Sequence, residues 1–378
     1  ETTPSTTDPY DHPAARRRFM TITGEDELKA ALDYPWEKWT IFLHPAQRDL
    51  VTRDYSGPAR VSGSAGTGKT VVAIHRAVHL AEADPEARVL LSTFSPALAG
   101  HLRVKLLRLL AAKPKLGERI DVESLDDLSL RLYRTEFGKV PRVADPREIR
   151  ATLREAAERE GLSYSESFLV SEWEHVVDAW QLRDWESYKT VQRLGRKVRL
   201  PEAARARLWT VFEAVHAALE DRNLKTQAAI YHSLAEALAK RTRSVYQHVV
   251  LDEAQDASAT QLRFLATLVG DRTNGLFFAG DLGQRIFQQP FSWLSVGVDI
   301  RGRSRTLKVN YRTSQQIRQR ADRLLDSKTE DVDGEHQERS GTVSVFNGPE
   351  PDLRLFGSAD DEIAAVSAWI RKRIDEGA

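Results

Sequence analysis

The stretch from residue 60 to residue 77, RVSGSAGTGKTVVAIHRA, decides the fold. A short apolar segment leads into a glycine-rich turn, and a lysine, a threonine and a helix-like segment follow. The glycines let the backbone curl so that successive N–H groups face one point, and the start of the helix adds the positive end of its dipole. The order of strand, glycine-rich turn and helix therefore predicts a binding site for a nucleotide phosphate.

The turn matches the pattern GxxxxGK[ST], with a strand before it and a helix after it. At such a site we expect the Lys69 ammonium to reach the β- and γ-phosphates and the Thr70 hydroxyl to bind Mg²⁺. In the following helix, polar residues at positions 75, 76, 79 and 82 share one face, and the other faces are apolar, which predicts burial against a sheet. The expected phosphate-binding residues are Gly63, Ser64, Ala65, Gly66, Thr67, Gly68, Lys69 and Thr70.

An acidic pair supplies the second half of the expected site. In VVLDEAQD, residues 249–256, Asp252 directly follows an apolar strand and Glu253 is its neighbour. A carboxylate at that strand end can bind the metal, and the next one can polarise an attacking water. An isolated Asp-Glu pair is usually a solvated turn, but its place after a buried strand in a chain with a phosphate loop favours the catalytic interpretation.

The remaining strand-like segments indicate an α/β class. They are short, continuous and apolar rather than alternating, as expected for strands covered on both faces by helices. Because helical stretches separate them, we predict a parallel sheet flanked by helices. The predicted strands span residues 59–63, 88–94, 248–254, 275–281 and 306–310.

Residues 115–225 contain successive amphipathic helices instead of alternating strands and helices. This pattern predicts an inserted all-helical subdomain. Its tryptophans recur at helical spacing, so we interpret them as core residues rather than ligand-stacking residues. The basic segment RLGRKVRL, residues 193–200, is either a solvated loop or a contact to backbone phosphates, and its composition leaves both open. The tryptophans are Trp173, Trp180, Trp185 and Trp209.

Composition excludes several classes of protein. The chain has 378 residues, with 55 Lys and Arg balanced by 55 Asp and Glu, so any nucleic-acid contact must come from a local basic surface. It has no cysteine, which excludes disulfides, thiolate zinc sites and cysteine nucleophiles and is compatible with the cytoplasmic location we expect. No apolar run reaches the about 18 residues of a membrane span. The chain begins at Glu1 and its one methionine is Met20, so we expect both ends to be cuts within a longer protein.

The phosphate loop and the DEAQD segment together resemble the UvrD/Rep-type superfamily 1 helicases, and further segments extend the resemblance over roughly residues 40–325. FLHPAQRDLV at 42–51 resembles the family's glutamine motif, and STFSPALAGHLRVKL at 92–106 resembles its segment that contacts single-stranded DNA. AGDLGQRIF at 279–287 resembles the GD-x-x-Q segment, and NYRTS at 310–314 the block that follows it. The order and spacing of these segments make the resemblance specific.

The resemblance implies roles around ATP and Mg²⁺. It implies that Gln47 binds the adenine edge and that Tyr311 stacks on the adenine ring. It also implies that Gln284 and Arg312 respond to the γ-phosphate. Together with Lys69 and Glu253, Gln284 and Arg312 complete the expected catalytic set, and Thr70 and Asp252 are the expected Mg²⁺ ligands.

The resemblance also implies contacts to single-stranded DNA. Thr93 and Phe94 are the expected contacts after the second strand. The family places a base-stacking aromatic soon after GD-x-x-Q, and here Phe287, Phe291 and Trp293 are all candidates. The Ser-Pro pair that follows Phe94 differs from the commoner Asn-Lys-Ala pattern, which indicates a divergent branch.

The implied architecture is a RecA-like P-loop lobe with a helical insertion. Because a second-lobe arginine is absent from these residues, we expect the chain to bind ATP but to hydrolyse it poorly; an arginine supplied across an interface is worth about 10³–10⁵ in rate. The expected units are an N-terminal extension at 1–39, the first part of the lobe at 40–114, the insertion at 115–225, the second part of the lobe at 226–325, and a linker with the start of a second lobe at 326–378.

The leading hypothesis is the motor core of an ATP-dependent DNA helicase or translocase. We expect its partner to be single-stranded DNA, or a duplex with a single-stranded overhang, and we favour a monomer. A nucleotide-regulated binding or assembly module is the alternative from another class, and a translocase on RNA is the third. Binding to single-stranded oligonucleotides that weakens steeply with salt would separate the motor from the assembly module.

Overall fold

A computed structural model describes residues 43–193, 196, 198–281, 291–324, 328–330, 332–334, 336–338 and 341–377. The expected N-terminal extension, Gln284 and Phe287 lie outside these residues.

A six-stranded sheet forms the centre of the lobe. Its strand order is β3-β2-β4-β5-β1-β6, and every neighbouring pair is parallel. All residues of β1, β2, β4 and β5 are buried, and the central residues of β2, β4 and β5 are apolar, as expected for strands covered on both faces. The strands are β1 (Ala59–Ser62), β2 (Val89–Thr93), β3 (Ile120–Ser124), β4 (His248–Asp252), β5 (Leu276–Ala279) and β6 (Ser304–Thr306).

Helices cover both faces of the sheet. Most begin at a serine, threonine or aspartate whose side chain accepts a hydrogen bond from the first turn, as at Ser95, Ser124 and Ser258. The lobe helices are α1 (Pro45–Thr52), α2 (Lys69–Ala83), α3 (Pro96–Leu109), α4 (Pro114–Gly117) and α5 (Leu125–Phe137). The helical subdomain contains α6 (Pro146–Arg159), α7 (Glu166–Glu172), a π-helix (Trp173–Asp178), α8 (Trp185–Thr190) and α9 (Glu202–Asp221). Then follow α10 (Gln227–Leu238), α11 (Ala259–Val269), α12 (Gln315–Asp322) and α13 (Ala359–Asp375).

Alternate residues of the strands point to opposite sides and build two cores. Leu91, Val250 and Phe277 pack against α1, α2 and α3. Leu90 and Phe278 pack on the other face, against α5, α10 and α11. The result is a three-layer α/β lobe, and the predicted fold class is confirmed.

The helical subdomain has a third core of its own, between α6 and α9, around Trp173, Tyr188 and Phe212. This core begins later than the boundary expected at residue 115, because β3 is an edge strand of the sheet and α5 packs in the lobe. Strand β3 has alternating buried and half-buried residues, so it lacks the continuous apolar pattern of the other strands. The tryptophans pack as their spacing predicts: two are buried, and Trp180 and Trp185 are partly buried against the cores.

Two arginines of the basic loop between α8 and α9 anchor it to the helical subdomain. Arg193 and Arg196 both form ion pairs with Glu172, which is fully buried, at 2.6 and 3.1 Å. The Tyr188 hydroxyl donates to the same carboxylate at 3.0 Å. Neither interpretation from the sequence anticipated this, because a buried acidic partner in α7 cannot be deduced from the loop.

The segment 306–310, predicted as one strand, contains parts of two sheets. Strand β6 ends at Thr306, and β7 (Val309–Asn310) pairs instead with β10 (Val343–Ser344). The expected linker includes an antiparallel pair, β8 (Lys328–Glu330) and β9 (His336–Glu338). Within the described parts of the chain, no helix is both long and apolar enough to cross a membrane.

Candidate nucleotide site

The phosphate loop joins β1 to α2 at the carboxyl edge of the sheet. Gly66 and Gly68 have left-handed backbone conformations, with φ of 84° and 85°. A Cβ at Gly68 would lie 2.5 Å from the Gln47 amide nitrogen, and one at Gly66 would lie 2.5 Å from the Asn310 amide oxygen. These positions accept only glycine, because both the conformation and the space exclude a side chain.

The N-cap of α2 is Gly68, which offers no side-chain cap to the first N–H groups of the helix. The first N–H groups of a helix need acceptors, and an anion can supply them. The loop is shaped by its own side chains: the Thr67 hydroxyl donates to Ser64 O at 2.9 Å, and Lys69 Nζ donates to Gly63 O at 2.8 Å and to Ser64 O at 3.2 Å. This arrangement suits a phosphate group.

Lys69 is buried among charged side chains from several segments of the chain. Burial lowers its pKa, and the carboxylates of Asp281, Glu253 and Asp252 act in the opposite direction. The guanidinium of Arg312 also acts on it and lowers the pKa further. The structure therefore brings the loop lysine, the acidic pair and Arg312 into one electrostatic environment.

Thr70 and Asp252 lie at the same site, where the Thr70 hydroxyl acts on the Asp252 carboxyl. Burial and the neighbouring Glu253 carboxylate raise the pKa of Asp252 to about 6, while the Thr70 hydroxyl lowers it. Oδ1 of Asp252 is buried and has no hydrogen-bond partner among the described residues. A hydroxyl and a carboxylate with an unused oxygen are hard ligands that fit Mg²⁺. No group of three or more His, Asp or Glu side chains is placed to hold a metal within the described ranges.

Glu253 occupies a strained position at the end of β4. Its φ of 55° is left-handed, a conformation that costs a residue with a side chain about 1–3 kcal/mol and that often occurs at functional sites. Gln255 Nε2 donates to Glu253 Oε2 at 2.8 Å, and Gln255 Oε1 accepts from the backbone N–H of Asp281 at 3.1 Å. Gln255 thus fixes the carboxylate of Glu253 relative to the strand end of β5.

Gln47 and Tyr311 lie on the far side of the loop. Gln47 is buried, its Nε2 donates to Thr67 O at 3.0 Å, and its Oε1 accepts from the His44 N–H at 3.0 Å. The His44 and Tyr311 rings are 5.4 Å apart and tilted by 44°. Burial raises the pKa of Tyr311, and its hydroxyl has no hydrogen-bond partner within the described parts of the chain.

The candidate DNA contacts are not all at the surface. Phe94 is 37% exposed at the end of β2, but Thr93 beside it is fully buried, so its side chain presents no surface to a strand. Phe291 and Trp293 belong to the lobe core, where Trp293 packs edge-on to Phe278 at 5.0 Å. Thr93, Phe291 and Trp293 are therefore buried in this structure, and their expected contacts to DNA stay predictions.

A comparison with protein families identifies the chain. The family model of the UvrD/REP helicase N-terminal domain matches residues 43–290, more than half of the sequence. The chain belongs to this family. No curated protein matches it.

Membership in the UvrD/REP family makes this lobe a helicase or translocase motor core, in the helicase and ATPase class of enzymes, with nucleic acid as its substrate. Asn310 and Gln255 also shape this site, although the sequence does not predict a role for either. Asn310 Nδ2 donates to Ala65 O, and Gln255 Oε1 accepts from the Asp281 N–H. Their positions within the NYRTS and DEAQD segments are the signal that the sequence offers.

Proposed function

We propose that this UvrD-type lobe binds ATP with Mg²⁺ and couples its hydrolysis to movement on single-stranded DNA. The observation that carries the proposal is the convergence of Lys69, Thr70 and Asp252 from α2 and β4. These segments are far apart in sequence, and a triphosphate with its metal needs a cation, a hydroxyl and a carboxylate within one site.

The loop residues bind the phosphates in this proposal. The uncapped N–H groups at the start of α2 donate to phosphate oxygens, and the Lys69 ammonium exchanges its loop carbonyls for the β- and γ-phosphates. Thr70 and Asp252 would hold Mg²⁺, which when bound neutralises charge that develops on the phosphate oxygens. Support comes from the unused Oδ1 of Asp252 and from the buried position of Lys69.

Hydrolysis is assigned to Glu253 and Arg312. Glu253 polarises the attacking water, and the bond from Gln255 keeps its carboxylate aimed at that water. Arg312 stabilises charge on the γ-phosphate, and its electrostatic effect on Lys69 supports this position. Gln284 is assigned to the same phosphate by resemblance. Slow turnover by these 378 residues, expected from the sequence, is part of the proposal.

The adenine is assigned to the space beside Tyr311. Its ring offers a stacking surface next to His44, and its buried hydroxyl still lacks a partner among the described residues. Gln47 can use a second amide hydrogen and a second lone pair, because an amide has two donors and two acceptor sites on its oxygen. Gln47 would then hydrogen-bond the adenine edge while it keeps its bond to the backbone carbonyl of Thr67.

The DNA is assigned to the carboxyl edge of the sheet, where Phe94 follows β2. Aromatic stacking on bases is worth about 1–3 kcal/mol per base and tolerates any sequence. Phe94 is the candidate with an exposed ring among the described aromatics that the resemblance singled out. A single chain carries all of these residues, which is compatible with a monomeric motor.

The test is the binding of labelled oligothymidylate to the 378-residue chain, measured by fluorescence anisotropy over a series of salt concentrations. We expect Phe94→Ala to weaken binding about tenfold. Phe137→Ala is the matched control, because Phe137 is 40% exposed on α5, and it should leave affinity unchanged. An oligouridylate and a duplex with a thymidylate overhang complete the comparison.

The outcomes separate the hypotheses. Binding that falls steeply with salt, favours DNA and changes with an ATP analogue supports the motor. Equal or tighter binding of oligouridylate would move the proposal to RNA. Nucleotide binding without any oligonucleotide binding would indicate an assembly module and contradict the DNA motor.

A further inference from the structure

The chain leaves the large sheet and enters a small one within a few residues, and Asn310 lies at this junction. The backbone N–H of Leu307 donates to Ser62 O at the end of β1, at 2.8 Å. Asn310 is already in β7, where it pairs with Ser344, and its carbonyl accepts from the Val345 N–H at 3.0 Å. The backbone of Asn310 therefore belongs to the small sheet.

The side chain of Asn310 reaches back to the phosphate loop. It is 1% exposed, and its Nδ2 donates to Ala65 O at 2.8 Å and to the Thr313 hydroxyl at 2.9 Å. Its Oδ1 accepts from the N–H groups of Arg312 and Thr313, at 2.9 and 3.1 Å. One amide thus binds the loop with its nitrogen and orders the turn that carries Arg312 with its oxygen.

The phosphate loop and the turn that carries Arg312 are also in close contact. The Tyr311 N–H donates to Gly66 O at 2.9 Å. A Cβ on Gly66 would lie 2.5 Å from Asn310 Oδ1 and 2.7 Å from Arg312 Cβ. A shift of the loop at Gly66 must therefore move the turn, since close-packed groups transmit displacement.

The other side of the junction is held by several bonds. The Val343 N–H donates to Lys308 O at 2.9 Å, and the Gln315 N–H donates to Phe346 O at 3.0 Å. Side chains of α12 add to these bonds, because Gln316 Oε1 accepts from the Gly348 N–H at 2.8 Å. Residues 343–348 are thus attached to the segment that contains Asn310.

We infer that Asn310 is a positioning residue that couples the nucleotide state of the phosphate loop to residues 342–348. The inference rests on the proposed binding of ATP at that loop. In a planar peptide, the carbonyl of Ala65 and the N–H of Gly66 turn together. When the Gly66 N–H turns toward a phosphate, the Ala65 carbonyl turns with it, and the hydrogen bond from Asn310 Nδ2 to that carbonyl changes. Asn310 then moves, and the segment that joins the two sheets moves with it.

Amide hydrogen exchange on the 378-residue chain, with and without a non-hydrolysable ATP analogue, tests this coupling. In the unaltered chain we expect the analogue to slow exchange in peptides covering 342–348 by about fivefold or more, the lower range of typical coupling between sites. Asn310→Ala should still bind a fluorescent nucleotide but lose this slowing. Exchange in α10, which lies in the lobe core, reports whether the variant is folded.

Asn310→Asp is the second variant, because it keeps the acceptor for Arg312 and Thr313 and removes the donor to Ala65. It should lose the coupling as well. Slowing at 342–348 that persists in either folded, nucleotide-bound variant would overturn the inference, as would nucleotide binding to the unaltered chain without any slowing there. Failure of the unaltered chain to bind nucleotide would overturn the proposed function and this inference with it.

Discussion

The hydroxyl of Thr70 lowers the pKa of the Asp252 carboxyl, and this interaction links the first turn of α2 to the carboxyl end of β4. It places two hard oxygen groups at one site, and Oδ1 of Asp252 has no hydrogen-bond partner within the described chain. The two groups that the proposed Mg²⁺ site needs therefore come from separate segments of the chain.

The first prediction concerns this interaction. Thr70→Val keeps the shape of the side chain but removes the hydroxyl, so we expect the tightening of nucleotide binding by Mg²⁺ to fall about tenfold or more. Thr70→Ser retains the hydroxyl and should behave like the unaltered chain. Titration of a fluorescent ATP analogue with and without Mg²⁺ measures the effect, and equal Mg²⁺ dependence in both variants would contradict the assignment.

The second prediction separates binding from hydrolysis. Glu253→Gln keeps the size of the side chain and removes the base, so we expect the ATP turnover rate to fall by about 10²–10⁴ while nucleotide affinity is nearly unchanged. Glu174→Gln, an exposed carboxylate in the helical subdomain, is the control. A turnover rate in Glu253→Gln equal to that of the control would remove Glu253 from the mechanism.

The third prediction is a pH dependence of stability at Asp178. Burial raises the pKa of its carboxyl from 3.8 to about 6, although hydrogen bonds from Thr226 and Gln181 oppose the shift. A raised folded-state pKa favours the protonated form. The contribution of this group to stability is therefore present below pH 3.8 and is lost as the pH rises through about 6.

Asp178→Asn does not titrate, so its stability relative to the unaltered chain should increase between about pH 5 and about pH 8. The gain over this interval is at most about 1.5 kcal/mol, because the full pKa shift corresponds to about 3 kcal/mol and about half of that effect occurs below pH 5. Urea unfolding at both pH values measures it. A difference in the free energy of unfolding that does not change with pH would show that Asp178 does not titrate in this range.

The fourth prediction concerns the buried carboxylate of the helical subdomain. Glu172→Ala leaves the guanidinium groups of Arg193 and Arg196 without their carboxylate partner. We therefore expect the free energy of unfolding to fall by about 3–5 kcal/mol. Glu202→Ala breaks an exposed pair with Lys189 and should leave the free energy of unfolding nearly unchanged, because solvent screens such pairs. Tryptophan fluorescence reports unfolding of this core, and equal losses in the two variants would contradict the anchoring role.

Several features of the lobe could be predicted because each has a local pattern. Strands buried on both faces are continuously apolar, and the phosphate loop has glycines that its conformation requires. Strand β3 has no such pattern, because an edge strand is only half covered. The division of 306–310 between two sheets depends on hydrogen-bond partners at Ser62 and at residues 343–345, which are all distant from this segment in the sequence.

Arg76 shows the same limit within a helix. The polar face of α2 suggests an exposed side chain, but Arg76 is 1% exposed and its guanidinium lies 5.1 Å from the Tyr55 ring and 5.5 Å from the Phe277 ring. It donates to the carbonyls of Val51 and Arg53, and burial lowers its pKa to about 10. An arginine can be buried when backbone carbonyls accept its hydrogen bonds, and the sequence does not show where those carbonyls lie.

The most direct test of the account is the affinity of ATP with Mg²⁺ for the 378-residue chain and for Lys69→Met, measured by calorimetry. Lys240→Met, an exposed lysine at the end of α10, is the control. We predict that the unaltered chain and the control bind ATP equally and that Lys69→Met binds about a hundredfold more weakly. Equal affinity in all three chains, or no binding by any of them, would contradict a nucleotide site at the phosphate loop.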